Sequence, residues 1–202
     1  MALKTEKEDF SMQALEVKKQ FGIFPMPIVV IGTQSDTKAN FMTAAWAVQV
    51  DHNPPMVGIV LSKDHLTSTN ITKTGWFSLS IPTADHVVAT DYVGIHSGNE
   101  MDKSDAFPIF YSRQKKAPMI EGCALSMECR LVQTLEISSD PFFIGKIETL
   151  FAKDDYLTDG KPDFAKMRPL LYCSTDGSYW QVGERVAKAW SVGREKTTPD
   201  KD

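Results

Sequence analysis

The sequence predicts a mainly β protein with a few helices, closed or nearly closed into a barrel. Three observations carry this. Short apolar runs rich in β-branched and aromatic residues recur along most of the 202 residues, separated by turn-forming segments. Segments with helical apolar spacing are few and short. Many short strands expose many edges, and closure is the arrangement that removes them.

Taken in order, residues 6–20 carry Phe10, Leu15 and Val17 among charges, which predicts a weak amphipathic helix stopped at Phe21-Gly22. Ile28 to Thr33 is an unbroken run rich in β-branched residues, the pattern of a strand buried on both faces. Ser35-Asp36-Thr37-Lys38 is turn chemistry, and Asn40 to Val50 is read as a second strand. Asn53-Pro54-Pro55 ends it, and Met56 to Leu61 forms a third. Thr67 to Thr74 reads as a short helix closed by Gly75. Trp76 to Ile81 alternates as a fourth strand up to Pro82. His86 to Gly94 is read as helical and His96 to Ser112 as loop. Cys123 to Ile137 and Phe142 to Ala152 form a pair of long strands. Asp159-Gly160 is a turn, and Leu170 to Cys173 with Tyr179 to Val182 make a hairpin around Thr175-Asp176-Gly177. The polar tail from Lys196 is expected to fray. No linker, repeat or low-complexity tract divides the chain, so residues 1–202 are expected to form one domain with its core at about 22–190.

A net charge of -4 with both signs interspersed gives no reason to expect nucleic acid or an anionic membrane as partner. The start lacks the apolar core of a secretory signal and no run is long enough to cross a bilayer, so a cytoplasmic location is expected. Cys123, Cys129 and Cys173 are odd in number and lack metal-ligand spacing; they read as free, mostly buried thiols. No GxSxG, HExxH, P-loop or helix-opening GxGxxG is present. What remains is a protein whose reactivity would come from a cofactor, or a β-barrel binding protein without one.

Three segments are candidates to hold one. Asn40 to Trp46 has small residues at its centre, so a flat ligand can approach the backbone at Thr43, Ala44 and Ala45; the alternative is that the alanines pack beneath Trp46. Ser62 to Ile71 leaves a strand and opens a helix, whose unpaired N–H groups and dipole favour an anion. Ser62, Thr67 and Ser68 bring hydroxyls there, and Lys63 and His65 bring positive charge; the alternative is an N-cap and nothing more. His96 to Lys103 is a glycine-containing basic loop that either closes over a ligand or is a surface turn. Tyr172, Tyr179 and Trp180 read as core or subunit interface, and His52 and His86 as structural or solvent-facing.

PMPIVVIGT at residues 25–33, N..TAAW at 40–46, NPP.VGI.L at 53–61 and T..NI...G.F...IP at 67–82 follow one another in fixed order, with DPFFIGK at 140–146. This series resembles the flavin reductase-like family of FMN-binding split β-barrels, in particular its flavoredoxin and flavin or ferric reductase branch, over about residues 22–190. The resemblance implies a homodimer with FMN in a groove near the subunit interface. It implies that Met42, Thr43, Ala44, Ala45 and Trp46 line the isoalloxazine edge. It places Ser62, Lys63, His65, Thr67 and Ser68 around the phosphate, with His96, Ser97 and Gly98 completing the site and Lys103 as a following basic position. It further implies a reductase that takes electrons from NADH or NADPH and passes them through FMN to flavin, ferric or other acceptors. The alternative is a flavoredoxin-like electron carrier without its own nicotinamide site. The chain departs from the family pattern at His65, where arginine is frequent, and at Ser80, where asparagine is. It departs again near Phe142, where histidine is frequent, and in the turn before Asn40, which lacks the frequent glycine.

Overall fold

In the computed structural model, residues 22–35 and 38–195 are described. The helix expected over residues 6–20, the centre of the Ser35–Lys38 turn and the tail from Lys196 lie outside them. A short β1 (Met26–Pro27) leads into β2 (Val29–Gln34), which is buried along nearly its whole length. Its Val29 and Ile31 enter one apolar cluster and Val30 another on the opposite face, as the unbroken apolar run requires. There follow β3 (Ala39–Ala44), β4 (Ala47–His52), β5 (Pro55–Val60), α1 (Leu66–Thr74), β6 (Trp76–Ile81) and α2 (Val87–Ile95). The later chain holds short β7 (Ile109–Phe110) and β8 (Met119–Ile120), then the long antiparallel pair β9 (Leu125–Glu136) and β10 (Pro141–Ala152). A small hairpin, β11 (Leu157–Thr158) with β12 (Lys161–Pro162), precedes α3 (Phe164–Met167), β13 (Leu170–Cys173) and β14 (Ser178–Gln181). Of these, α3 and the two-residue strands β1, β7, β8, β11 and β12 escape the sequence reading, with β7 falling inside the stretch from His96 to Ser112 expected as loop; elements this short show no period.

Seven strands form one antiparallel sheet in the order β3-β2-β6-β9-β10-β5-β4. Its two terminal strands, β3 and β4, are consecutive in the chain and joined by Ala45 and Trp46 alone. So short a connection keeps the two ends within about 11 Å of one another, at about 3.6 Å per residue, and the sheet must therefore curl into a barrel with a seam between them. This corrects the expectation of one strand from Asn40 to Val50. Neither Ala45 nor Trp46 is a turn residue. The break comes from partner choice, with β3 pairing to β2 and β4 to β5 while the Trp46 carbonyl accepts from Val60 N–H at 3.0 Å.

The barrel interior is filled by Ile31, Ile59, Phe77, Leu79 and Phe143 with their neighbours. α1 lies across one part of it, burying Thr67, Ser68, Asn70 and Ile71 and ending at Gly75, whose φ of 72° takes the left-handed region. Only Ile71 of these is apolar, so α1 docks largely through hydrogen bonds. α2 packs on the outer face of β3, its Val93 buried with Phe41 and Phe107.

Candidate functional site

α1 begins at His65, an extended residue whose side chain makes no capping bond. The first-turn N–H groups therefore lack a side-chain acceptor, and the turn carries no acidic residue. Behind it the chain is folded tightly: the Ser62 carbonyl accepts from His65 N–H at 3.2 Å and from the Ser68 hydroxyl at 2.7 Å. The Ser68 hydroxyl is thus spent locally. Thr67 is nearly fully buried and its Oγ accepts from Asn40 Nδ2 at 2.9 Å.

Facing this turn is the C-terminus of α2. Thr43 of β3 donates its hydroxyl to the Thr90 carbonyl, and a Cβ on Gly94 would lie 3.2 Å from that of Thr43, so α2 and β3 pack closely at this glycine. After α2, Gly98 sits against Asn40 Oδ1 and Leu66, and Asn99 donates to the Asp64 carbonyl at 2.9 Å, tying this loop to the start of α1. Lys103 is buried, and its ammonium donates to the carbonyls of Val93 at 3.0 Å and His96 at 2.8 Å. A cation at the carbonyl end of a helix is favourable, and a third N–H remains for another acceptor. Burial pulls the Lys103 ammonium down to about 8.

These elements enclose a cavity of about 190 Å³. Of the residues expected around a ligand, Met42, Thr43, His65, Thr67, His96, Ser97, Gly98 and Lys103 share its wall, with no carboxylate among them. Ser62, Lys63, Ala44, Trp46 and Ser68 are not on that wall. Lys63 is exposed, Trp46 is half exposed, and Ala44 belongs to the barrel core. A neighbouring cavity of about 260 Å³ shares Leu66, Gly98 and Lys103, and the Lys38–Asp102 ion pair stands on its wall.

On its other side the first cavity adjoins a hollow of about 300 Å³ through the shared residues Thr43, Gly94 and Ile95. Ala45, Ile28, Tyr172 and Tyr179 wall it, and the Tyr179 hydroxyl donates to Asp91 Oδ1 at 2.9 Å. Burial, then the Asp91 bond, push the Tyr179 phenol up to about 12. The two compartments thus differ in chemistry: the Lys103 ammonium, two imidazoles and the start of α1 line one, a carboxylate and two phenols the other. Asp91, Gly94, Ile95, Tyr172 and Tyr179 are absent from the sequence-based set of ligand-facing residues. Their signal is spatial, arising from β13–β14 pairing beside β1 and from α2 packing on β3.

Phe142, the family departure in β10, pairs with Val60 and Leu135 with its ring against Gly58, and is on the wall of neither compartment. Ser80 shares a buried hydroxyl bond with Ser126 at 2.9 Å. His52 is exposed beside Asp51, whereas His86 finds a partner in Thr83 Oγ at 2.9 Å. All three cysteines are free; burial raises the Cys123 and Cys129 thiols. No cluster of metal-ligating side chains occurs among the described residues. Nor is any helix among them long and apolar enough to cross a membrane.

A curled seven-stranded antiparallel sheet with a cavity between the start of α1 and the end of α2 makes this a ligand-binding β-barrel. The family model described as a flavin reductase like domain matches residues 21–180. The chain belongs to this family, and its fold is the flavin reductase-like split barrel. Flavoredoxin from Methanosarcina acetivorans is 40% identical, with a TM-score of 0.86 over 91% of this chain and 98% of that one. Flavoredoxin of Desulfovibrio vulgaris (Miyazaki F) is 31% identical, with a TM-score of 0.81 over 90% of this chain and 100% of that one. An NADH-dependent FAD reductase of Streptomyces globisporus is 26% identical over 67% of this chain and 74% of its own length.

Proposed function

We propose that this chain binds FMN and acts as a redox protein, an NAD(P)H-dependent reductase that passes electrons through FMN to a flavin, ferric or other acceptor. The observation that carries the reading is the carboxylate-free cavity wall that joins the uncapped start of α1 to Thr67 and Lys103. That donor set suits a phosphomonoester. Bound FMN would supply the hydride and one-electron chemistry.

The chain's own part is binding and orientation. In this reading the first-turn N–H groups of α1, the Thr67 hydroxyl, Lys103 and His65 hold the phosphate, with Ser62, Lys63 and Ser68 shaping the turn around it. His96, Ser97 and Gly98 close the site. The segment Met42 to Trp46 meets the ring through its backbone and through Thr43 and Ala45, which face the second compartment, while the Ala44 methyl turns into the barrel core; backbone donors stabilise charge on the ring's polar edge. No side chain is assigned as a catalytic acid or base.

A second reading is a flavoredoxin-like carrier that draws electrons from a protein donor. The greater likeness to the two flavoredoxins than to the reductase favours it. Anaerobic mixing of the FMN-loaded protein with NADH and then NADPH separates the two. Bleaching of the flavin band supports the reductase; reduction by a protein donor alone supports the carrier.

The same reading takes residues 1–202 as one FMN-binding unit, paired as a homodimer in the cytoplasm. Exposed Trp46, Val48 and Val50 at the seam and Trp190 in the segment after β14 support pairing. Free thiols fit a reducing compartment. Light scattering of the purified chain tests the dimer.

A further inference from the structure

Beneath the first cavity runs a chain of buried polar side chains. Asn70 Nδ2 donates to Thr33 Oγ at 3.1 Å, Asn40 Nδ2 donates to the same oxygen at 3.4 Å, and Asn40 Nδ2 also donates to Thr67 Oγ at 2.9 Å. Thr33, Asn40, Thr67 and Asn70 are each at least 95% buried, from 0% to 5% exposed. Burying four such groups is costly unless each is held, and because an amide NH2 can only donate, each threonine oxygen in these bonds is the acceptor. That direction has a consequence at Thr67. Its oxygen accepts from Asn40, and no acceptor for its own proton lies among the described residues. Its neighbours behave otherwise: the hydroxyls of Ser68, Thr72 and Thr74 each donate to a backbone carbonyl at 2.7–2.9 Å. Thr67 is also the member of the network that reaches the wall of the first cavity.

We propose that Thr33, Asn40 and Asn70 are positioning residues that turn the Thr67 hydroxyl outward as a dedicated donor for an anionic phosphate oxygen. They thereby select the phosphorylated form of the ligand. This rests on the FMN reading of the same cavity. A hydroxyl free to rotate spends part of its time bonded inward, whereas one locked as acceptor on its inner side keeps its proton for the cavity. Thr33 and Asn70 act on the phosphate without standing on the cavity wall.

The test compares FMN with riboflavin, which lacks the phosphate, and uses inorganic phosphate as an independent probe. Wild-type protein is expected to prefer FMN at least about tenfold, from one charge-assisted bond. Asn70→Ala and Thr33→Val should each cut that preference about tenfold while leaving riboflavin affinity within about twofold; Thr33→Ser, which keeps the acceptor, should restore it. Thr33→Val serves where Asn70→Ala does not fold. Equal loss of both flavins, or an unchanged preference, overturns the proposal. If no flavin binds, the FMN reading falls and inorganic phosphate decides. A phosphate-dependent shift of the Thr67 amide resonance that disappears in Thr33→Val upholds the network's role, and its absence in wild type or persistence in the variant overturns it.

Discussion

The Lys103 ammonium lies 2.8 Å from the His96 carbonyl oxygen, so the basic group of the cavity is anchored on the end of the helix that forms the opposite wall. Lys103 is both cap and candidate phosphate partner, and its charge near neutral pH is poised by its burial.

The folded value of about 8 lies below the ordinary 10.5. Ligand-free protein should accordingly gain stability as pH rises through this window, because the unfolded chain binds the extra proton there. FMN affinity should move the opposite way. It is expected to be highest between about pH 7, where a phosphomonoester with a second pKa of about 6 is mostly dianion, and about pH 8, and to fall above that as the ammonium loses its proton. Lys103→Met should lower affinity by about 1.5–3 kcal/mol and flatten the alkaline limb, read by flavin titration across pH.

His65 is exposed and makes no capping bond, so its side chain is free to change. His65→Arg should tighten FMN binding by about tenfold, or ~1.4 kcal/mol, since a guanidinium is always charged and can pair two phosphate oxygens at once, which an imidazole ring cannot. Thermal stability should stay unchanged. An affinity equal to wild type would place the phosphate away from this residue.

A Cβ on Gly98 would overlap Asn40 Oδ1. Gly98→Ala should destabilise by about 1–3 kcal/mol and disturb the first cavity. Ala45→Leu adds bulk to the half-exposed wall of the second compartment and should lower flavin content without lowering the melting temperature. Parallel melting and flavin-content measurements separate the two effects.

Tyr179 holds its proton up to about 12 in the folded state, against an ordinary 10.0. Its contribution to stability is complete below pH 10 and should fade as pH rises toward 12. Tyr179→Phe should remove that alkaline loss together with a tyrosinate absorbance step near pH 12, at a cost of about 1 kcal/mol near neutrality.

Much of the barrel is legible in the chain because its strands are bounded by local chemistry. The apolar run of β2, the Gly75 stop of α1, the Pro82 end of β6 and the Gly177 turn all fall where turn residues stand. The seam at Ala45-Trp46 is not legible, since it reflects which strands pair and neither residue announces a break. The expected residues that reach the wall of the first cavity, Met42, Thr43, His65, Thr67, His96 to Gly98 and Lys103, sit on short contiguous segments and are visible for the same local reason. Lys63 and Ser68 share the composition of a phosphate turn, yet one points to solvent and the other bonds Ser62. Asn40 and Asn70 stand out only as motif letters until folding brings both onto Thr33.

The most direct test of the account is a calorimetric titration of ligand-free protein with FMN at pH 7. One FMN per chain is expected, with a Kd on the order of 1 μM or tighter, or about -8 kcal/mol. A titration that shows no saturable heat, in protein that is folded by circular dichroism, would contradict it.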